Sequence, residues 1–169
     1  ALLDGRIHLA VHSLKDLPVE DSDGLTLGAV VGRADVRDVL ITNNGGTLGS
    51  LPLGAVVGTS SLRRQAQLLY ARPDLQVRSI RGNVETRIRK VHEGQYDATV
   101  LAAAGVTRLE LQQHISQWLP LDLMLPAPGQ GARGIQCRAG DEATLKLLSA
   151  IHVLDVAAAV TAERSFLHH

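Results

Sequence analysis

The sequence lacks several features that mark common classes of protein. It has one cysteine in 169 residues, which excludes an internal disulfide and favours a reducing, cytoplasmic setting. No apolar run approaches the ~20 residues of a membrane-spanning helix. Aromatic residues make up only 2% of the chain, so stacking platforms for nucleic-acid bases are scarce. The 17 basic and 17 acidic residues cancel, and we expect neither a nucleic-acid nor a membrane partner.

Positive charge is nevertheless concentrated in the middle of the chain. Residues 59–90 contain eight cations and two acids, a net charge of +6 that the rest of the chain balances. Of the 17 cations, 14 are arginines, whose planar guanidinium can hold a carboxylate or phosphate with two parallel hydrogen bonds. The ligand expected from this pattern is a small molecule with several acidic groups.

Strand and helix signals alternate along the chain, which predicts an α/β fold with mixed, mainly parallel sheets and flanking helices. Strands are expected at 55–58, 75–80 and 98–103, with helices between them. A further helix is expected over 104–113 and another over 153–167.

The domain organisation follows from the order of these elements. Residues 1–31 and 132–150 flank the central unit and are expected to pair with each other as part of domain 1. Residues 32–131 are expected to form domain 2 with its hinge segments. Two-domain clamps of this kind bind ligands between their domains.

Two motifs in domain 2 predict an anion site. In Gly58-Thr59-Ser60-Ser61-Leu62-Arg63-Arg64 a strand ends and a helix begins with hydroxyls and guanidiniums. The unpaired N–H groups of a first helical turn carry partial positive charge and favour anions. Ser79-Ile80-Arg81-Gly82-Asn83 repeats the pattern, with Arg87 soon after, and parallel neighbouring strands would point both loops to one crevice. The alternative is a pair of ordinary capped helices with solvated arginines.

A third polar loop, His12-Ser13-Leu14-Lys15-Asp16, follows the first strand. It is either a salt-bridged turn, or a carboxylate for proton transfer or cation stabilisation beside a lysine that holds an anion. Gly129–Gly134 matches Gly-x-Gly-x-x-Gly but follows a proline-rich segment, so a dinucleotide site is not expected. His8 and His12 do not share a face on a strand, and no metal site is expected. Cys137 is expected to be a packed thiol.

A resemblance to a known family is carried by five segments: Leu9–Pro18, Val57–Arg64, Arg78–Arg87, Leu125–Ala132 and Thr161–Arg164. Together they resemble the porphobilinogen deaminase (hydroxymethylbilane synthase) family. The resemblance implies a transferase of tetrapyrrole and heme biosynthesis that condenses four porphobilinogen molecules into hydroxymethylbilane, releasing ammonia at each step. It also implies a fold like that of type II periplasmic binding proteins, a monomeric state and a dipyrromethane cofactor on a cysteine.

Site residues follow from the resemblance position by position. Asp16 is implied as the catalytic carboxylate. The acetate and propionate groups of each pyrrole would give the arginines their anionic partners. The implied cofactor-binding residues are Ser13, Lys15, Asp16, Thr59, Ser61, Arg63, Arg64 and Arg87. The implied substrate-binding residues are Arg81, Gly82, Asn83, Arg87 and Gln130.

One departure from the family concerns the cofactor cysteine. In the family it lies in a Leu-Glu-Gly-Gly-Cys motif that this sequence does not contain, and Cys137 lies in a different motif. We therefore expect an internal fragment, inactive alone, without the N-terminal segment and the cysteine-bearing third domain. Residues 151–169 would then be a linker helix at the start of that domain. The alternative hypothesis is a non-enzymatic, periplasmic-binding-like module for a small carboxylate-bearing anion, which needs neither cofactor nor Asp16.

Overall fold

A computed structural model describes residues 1–20 and 22–168 of the chain. The chain divides into two compact units, the first made of Ala1–Ala34 and Ala127–His169 and the second of Asp35–Pro126. The strands are β1 (Leu9–Ser13), β2 (Leu25–Arg33), β3 (Asp38–Thr42), β4 (Val56–Gly58), β5 (Gln76–Arg78), β6 (Ala98–Ala102), β7 (Gln117–Trp118) and β8 (Ala132–Arg138). The helices are α1 (Leu62–Ala71), α2 (Val84–His92), α3 (Ala103–Arg108), α4 (Glu142–Ser149) and α5 (Leu154–His168), and short 3-10 turns span Leu14–Asp16, Leu48–Ser50 and Gln112–His114.

The first unit is built on a three-stranded antiparallel sheet in the order β1-β8-β2. The central strand β8 comes from the far end of the sequence, and it places Cys137 opposite Leu9. This confirms the expected pairing between the two ends of the chain. Successive residues of a strand point to opposite faces, so Ala29 packs in the cluster that includes α4 and Val30 in the cluster that includes α5.

The second unit is built on a five-stranded sheet in the order β5-β4-β6-β3-β7. Helix α1 covers one face through the buried Leu68, while α2 and α3 cover the other through Ile88 and Val106. All five residues of β3 are buried, as expected for a strand covered on both faces. The expected α/β organisation with flanking helices is confirmed in this unit.

The expectation of mainly parallel sheets is correct only around β4, which runs parallel to β5 and β6. All other pairings are antiparallel, because β8 returns between β1 and β2 and because β3 runs against β6 and β7. The two-residue strand β7 escapes prediction because so short a segment carries no periodicity.

Helix α3 is shorter than the helix expected over 104–113. Glu110 adopts a left-handed backbone conformation with a φ of 57°. Its N–H donates to the carbonyl of Thr107, and the N–H of Leu111 donates to the carbonyl of Val106. These two bonds form a Schellman motif, a common helix terminator in which glycine is the usual left-handed residue. The helix therefore ends where no glycine marks its end.

Two further expectations concern the domain limits and the last helix. The limits between the units lie a few residues from the expected divisions at 31/32 and 131/132. Helix α5 packs against β2 within the first unit and buries Val160 there.

No single helix in the described part of the chain has the length and apolarity of a membrane span; α4 and α5 pass that test only as a pair bent by 112°.

Candidate functional site

In the second unit, the loops that follow β4 and β5 lie side by side. The two strands are parallel neighbours, which confirms the expected arrangement of their carboxyl ends. Ser60 joins the loops: its Oγ lies 2.8 Å from the Oγ of Ser79 and donates to the carbonyl of Ile80 at 2.9 Å. The same Oγ lies 3.2 Å from the Ile80 backbone nitrogen, which donates to it. Sequence reasoning missed this role of Ser60, because a serine in a capping segment has no signal for a cross-loop contact.

Side-chain oxygens cap the helices that begin at these loops. Ser61 Oγ accepts from the backbone nitrogen of Arg64 at 3.4 Å, and Asn83 Oδ1 accepts from that of Thr86 at 2.9 Å. Buried Thr59 accepts at its Oγ1 from the backbone nitrogen of Ser61. The hydroxyls of Thr59 and Ser61 accept in these bonds, so their protons remain able to donate to an anion.

Arg63 and Arg64 both bind one buried carboxylate, that of Asp38. The Arg64 guanidinium donates to both carboxylate oxygens, at 2.7 and 3.1 Å, and to the carbonyl of Val100 at 3.0 Å. Arg63 Nη2 donates to the same carboxylate at 2.8 Å, and its Nη1 donates to the carbonyl of Leu125. Asp38 is fully buried and Arg64 is only 7% exposed, so Arg64 has an internal structural partner.

The ionised state of Asp38 is set by two opposing effects. Burial opposes the charged form, but hydrogen bonds and charge from Arg64 and Arg63 outweigh burial and hold the pKa of the carboxyl below its ordinary value. Two guanidiniums around one carboxylate leave a net positive charge. Sequence reasoning placed the two arginines at the site but missed Asp38, which lies on β3 far from the motif.

Arg81 and Arg87 provide the cations of the neighbouring loop. Arg87 Nε donates to the carbonyl of Gly82 at 2.8 Å, and Lys90 donates to the carbonyl of Arg81 at 3.1 Å. Within residues 1–20 and 22–168, neither Arg81 nor Arg87 forms an ion pair. Burial and the positive charge of Arg64 lower the pKa of Arg87. An anion at this position would stabilise the Arg87 cation.

In the first unit, the loop that carries Asp16 is anchored by its neighbours. Leu14 is fully buried, whereas Lys15 and Asp16 in the same 3-10 turn are exposed. Gly129, with a φ of 72°, lies so close to this turn that an added Cβ would meet the Leu14 side chain at 3.2 Å. Gln130 is almost completely buried in the same segment. The Gly-x-Gly segment therefore packs on the Asp16 turn instead of starting a helix.

Two adjacent residues of α5 bind these segments: Arg164 binds the turn that carries Asp16, and Glu163 binds the segment that contains Gly129. Arg164 donates to the carbonyls of Leu14 and Leu17 at 3.4 and 3.1 Å, and to those of the two residues that follow Leu17. Glu163 accepts two hydrogen bonds from Arg33, at 2.6 and 2.8 Å, and a third from the Gly129 backbone nitrogen at 2.8 Å. Burial opposes ionisation of Glu163, but these partners lower its pKa. Sequence reasoning noted this pair only as part of a matching motif.

Cys137 is a buried free thiol in β8. Burial, followed by the charge of Asp141, raises the pKa of this thiol, which disfavours the nucleophilic thiolate. The packed thiol expected from the sequence is confirmed.

The expected site residues fall into two groups, one in each unit. The first unit holds Ser13, Lys15, Asp16 and Gln130. The second holds Thr59, Ser61, Arg63, Arg64, Arg81, Gly82, Asn83 and Arg87.

Comparison with known proteins identifies the family. Residues 1–146 match the family model described as "Porphobilinogen deaminase, dipyromethane cofactor binding domain". The chain belongs to the porphobilinogen deaminase family. Porphobilinogen deaminases from Brevibacillus brevis and Syntrophotalea carbinolica are each 55% identical to it over 99% of its length. The matches cover 54% and 53% of these two relatives, so the chain spans about half the length of the porphobilinogen deaminases it matches.

Solved structures share the fold at low sequence identity. A periplasmic substrate-binding protein of an ABC transporter from Coxiella burnetii superposes with a TM-score of 0.56 at 14% identity, covering 95% of this chain and 77% of that chain. A double mutant of the BvgS VFT2 domain from Bordetella pertussis gives 0.52 at 16% identity, covering 96% and 70%. The periplasmic-binding-like fold expected from the resemblance to porphobilinogen deaminase is confirmed.

Proposed function

We propose that this chain is part of a porphobilinogen deaminase of its relatives' length. It would provide the catalytic carboxylate and most of the groups that bind the carboxylates of the substrate and the cofactor. The reaction is the condensation of four porphobilinogen molecules into hydroxymethylbilane, with loss of one ammonia at each step. The observation that carries the proposal is the pair Arg81 and Arg87, which have no ion-pair partner among the described residues. They lie beside the cluster formed by Asp38 with Arg63 and Arg64, which has a net positive charge. Porphobilinogen, with an acetate and a propionate, supplies the missing anions.

The donor set also fits a dipyrromethane cofactor, whose side chains are the same two acids. When bound, that group supplies the free pyrrole end from which the product grows. Its carboxylates would be held by Ser13, Lys15, Thr59, Ser61, Arg63 and Arg87, with Arg64 acting through Asp38 and its own remaining N–H groups. Attachment requires a reactive thiolate, and Cys137 is buried with a raised pKa. Cys137 is therefore not the attachment residue in this proposal.

Asp16 carries the chemical step in this proposal. Its exposed carboxylate would accept the pyrrole N–H and stabilise the positive charge that develops as ammonia leaves. The same carboxylate would assist removal of the proton lost when the new carbon–carbon bond restores the aromatic ring. Arg164 and Gly129 hold the turn in place and leave the carboxylate itself exposed.

Removing one cation tests the proposed substrate-binding residues, which are Arg81, Gly82, Asn83, Arg87 and Gln130. Arg87→Gln in the full-length protein should raise the KM for porphobilinogen roughly 10- to 100-fold, the effect of losing one charge-assisted contact. Arg89→Gln is the matched control, because Arg89 lies on the same helix and its exposed side chain pairs with Glu93 at 3.6 Å. An equal rise in KM in both variants would show that overall charge, and not the site, attracts the substrate.

The same assay tests the alternative of a non-enzymatic module for a small carboxylate-bearing anion. Such a module would bind porphobilinogen without releasing ammonia. Ammonia release by the full-length protein supports the enzyme, and binding without release contradicts it.

A further inference from the structure

Two histidines of the second unit face each other outside the site described above. His92 is the last residue of α2, and His114 is the last residue of the 3-10 turn Gln112–His114. Nε2 of His92 lies 3.1 Å from Nδ1 of His114. The ring centroids are 5.1 Å apart and the rings are tilted by 56°. The two residues are 22 positions apart, so their spacing in the sequence carries no metal-ligand signal.

The distance between the two nitrogens matches that of two ligands on one metal ion. With metal–nitrogen bonds of about 2.0–2.1 Å, two ligand nitrogens are separated by about 2.9 Å at a right angle and about 3.4 Å at a tetrahedral angle. The observed 3.1 Å lies between these values. To point both lone pairs at a common ion, each ring must turn by about 40° from the line that joins the nitrogens. His92 is exposed and His114 is half-buried, so solvent and ions reach the pair.

Asn43 adds a contact on the other side of His92. Its Oδ1 lies 3.5 Å from the His92 Nδ1, the ring nitrogen that does not face His114. Metal-binding histidines usually donate their second ring N–H to an oxygen, which fixes the tautomer and leaves the other nitrogen as the ligand. Asn43 Oδ1 is in position to accept the Nδ1–H of His92 when His92 binds a metal through Nε2.

We propose that His92 and His114 form a binding site for a borderline divalent transition metal, of the Zn²⁺ or Cu²⁺ kind, with water completing the coordination shell. Imidazole is a preferred ligand of these ions. No group of three or more histidine, cysteine or acidic side chains suited to a metal occurs in the part of the chain that the structure describes, so the protein supplies two ligands. The bound ion would connect the end of α2 to the segment before β7.

The test is a titration of the whole chain with Zn²⁺, followed by calorimetry, and with Cu²⁺, followed by electron paramagnetic resonance. The sequence ends in His168-His169, a competing metal ligand, so all variants carry His168→Gln and His169→Gln. In this background we expect one equivalent of metal and, for Cu²⁺, coupling to two nitrogens. His92→Gln or His114→Gln should each weaken binding at least about tenfold, because either loses the chelate effect of two joined ligands.

His8→Gln is the matched control, since the exposed His8 lies in the first unit, and it should leave the affinity within about twofold. Equal weakening by all three variants would overturn the proposal. So would the absence of binding in the parent background, which would leave the pair as a simple N–H···N hydrogen bond. Circular dichroism of each variant verifies that the loss of binding does not come from unfolding.

Discussion

At the scale of single residues, the arginines of the second unit divide into those with an internal carboxylate partner and those proposed to bind ligand. Seven arginines lie between residues 59 and 90, but the sequence does not show which of them have partners within the protein. Asp38 binds Arg63 and Arg64, while Arg81 and Arg87 form no ion pair in the described residues. The carboxylate that makes this distinction belongs to β3, and only the folded sheet brings it to α1. Motif matching could therefore propose a candidate site but could not show which of its cations have internal partners.

Replacing Asp38 should be strongly destabilising. Asp38→Asn leaves two guanidiniums, one of them buried, without their carboxylate, and loss of one partner from a buried ion pair costs about 3–5 kcal/mol. The free energy of unfolding in urea measures this loss. Asp122→Asn is the control, because Asp122 is an exposed carboxylate of the same unit that forms no ion pair with the described residues. A loss below about 1 kcal/mol for Asp38→Asn would contradict the structural role.

The pH dependence of stability gives the same residue a second signature. The folded-state pKa of Asp38 is below its ordinary value of 3.8, so its contribution is complete above that value and is lost as the pH falls through the lower folded-state pKa. The wild-type chain should therefore lose more stability below about pH 4 than Asp38→Asn does. Parallel stability curves for the two proteins below pH 4 would contradict this assignment.

At the scale of elements, local chemistry accounts for most boundaries, and long-range contacts account for the exceptions. Helix α2 ends at a Schellman motif whose left-handed residue is Gly94, and glycine is the usual residue at that position. Helix α3 ends in the same motif with Glu110 in that position, which no propensity predicts. The pairing of β7 with β3 depends on the finished sheet. The sequence therefore predicts neither a helix end without glycine, as in α3, nor a two-residue strand such as β7.

The contact between the loops after β4 and β5 gives a prediction at this scale. Ser60→Ala removes the bonds to Ser79 and to both backbone groups of Ile80, and it should cost about 1–3 kcal/mol of unfolding free energy because Ile80 N–H loses its partner. Ser79→Ala, which leaves the two Ser60–Ile80 bonds intact, should cost less. Chemical denaturation of the two variants measures the difference, and a larger loss for Ser79→Ala would contradict the role given to Ser60.

At the scale of the whole molecule, the sequence predicted the pairing of distant chain ends, the α/β architecture and the family. It could not predict the direction of most strand pairs, because β8 and β3 are placed by contacts from remote parts of the chain. The two hydrophobic clusters of the second unit contain only residues from within Asp35–Pro126, whereas the first unit needs β8 at the centre of its sheet. The core of the second unit therefore comes from one continuous segment, whereas the sheet of the first unit needs strands from both ends of the chain.

The second unit should fold when expressed alone. A polypeptide of residues 35–126 retains both of its hydrophobic clusters and all five strands of its sheet. We expect dispersed amide resonances and a cooperative thermal transition. Residues 1–126, which lack β8, are the comparison and should show folded signals from the second unit only. An unfolded 35–126 polypeptide would contradict the division of the chain into two units.

The catalytic role proposed for Asp16 is tested by the rate at which the full-length protein consumes porphobilinogen after Asp16→Asn. We expect turnover to fall at least about a hundredfold while the fold stays normal, since the amide can neither stabilise the developing cation nor accept a proton. Asp23→Asn, at an exposed position of the same unit, should leave the rate unchanged. A folded Asp16→Asn protein that keeps its turnover would contradict the catalytic role of Asp16.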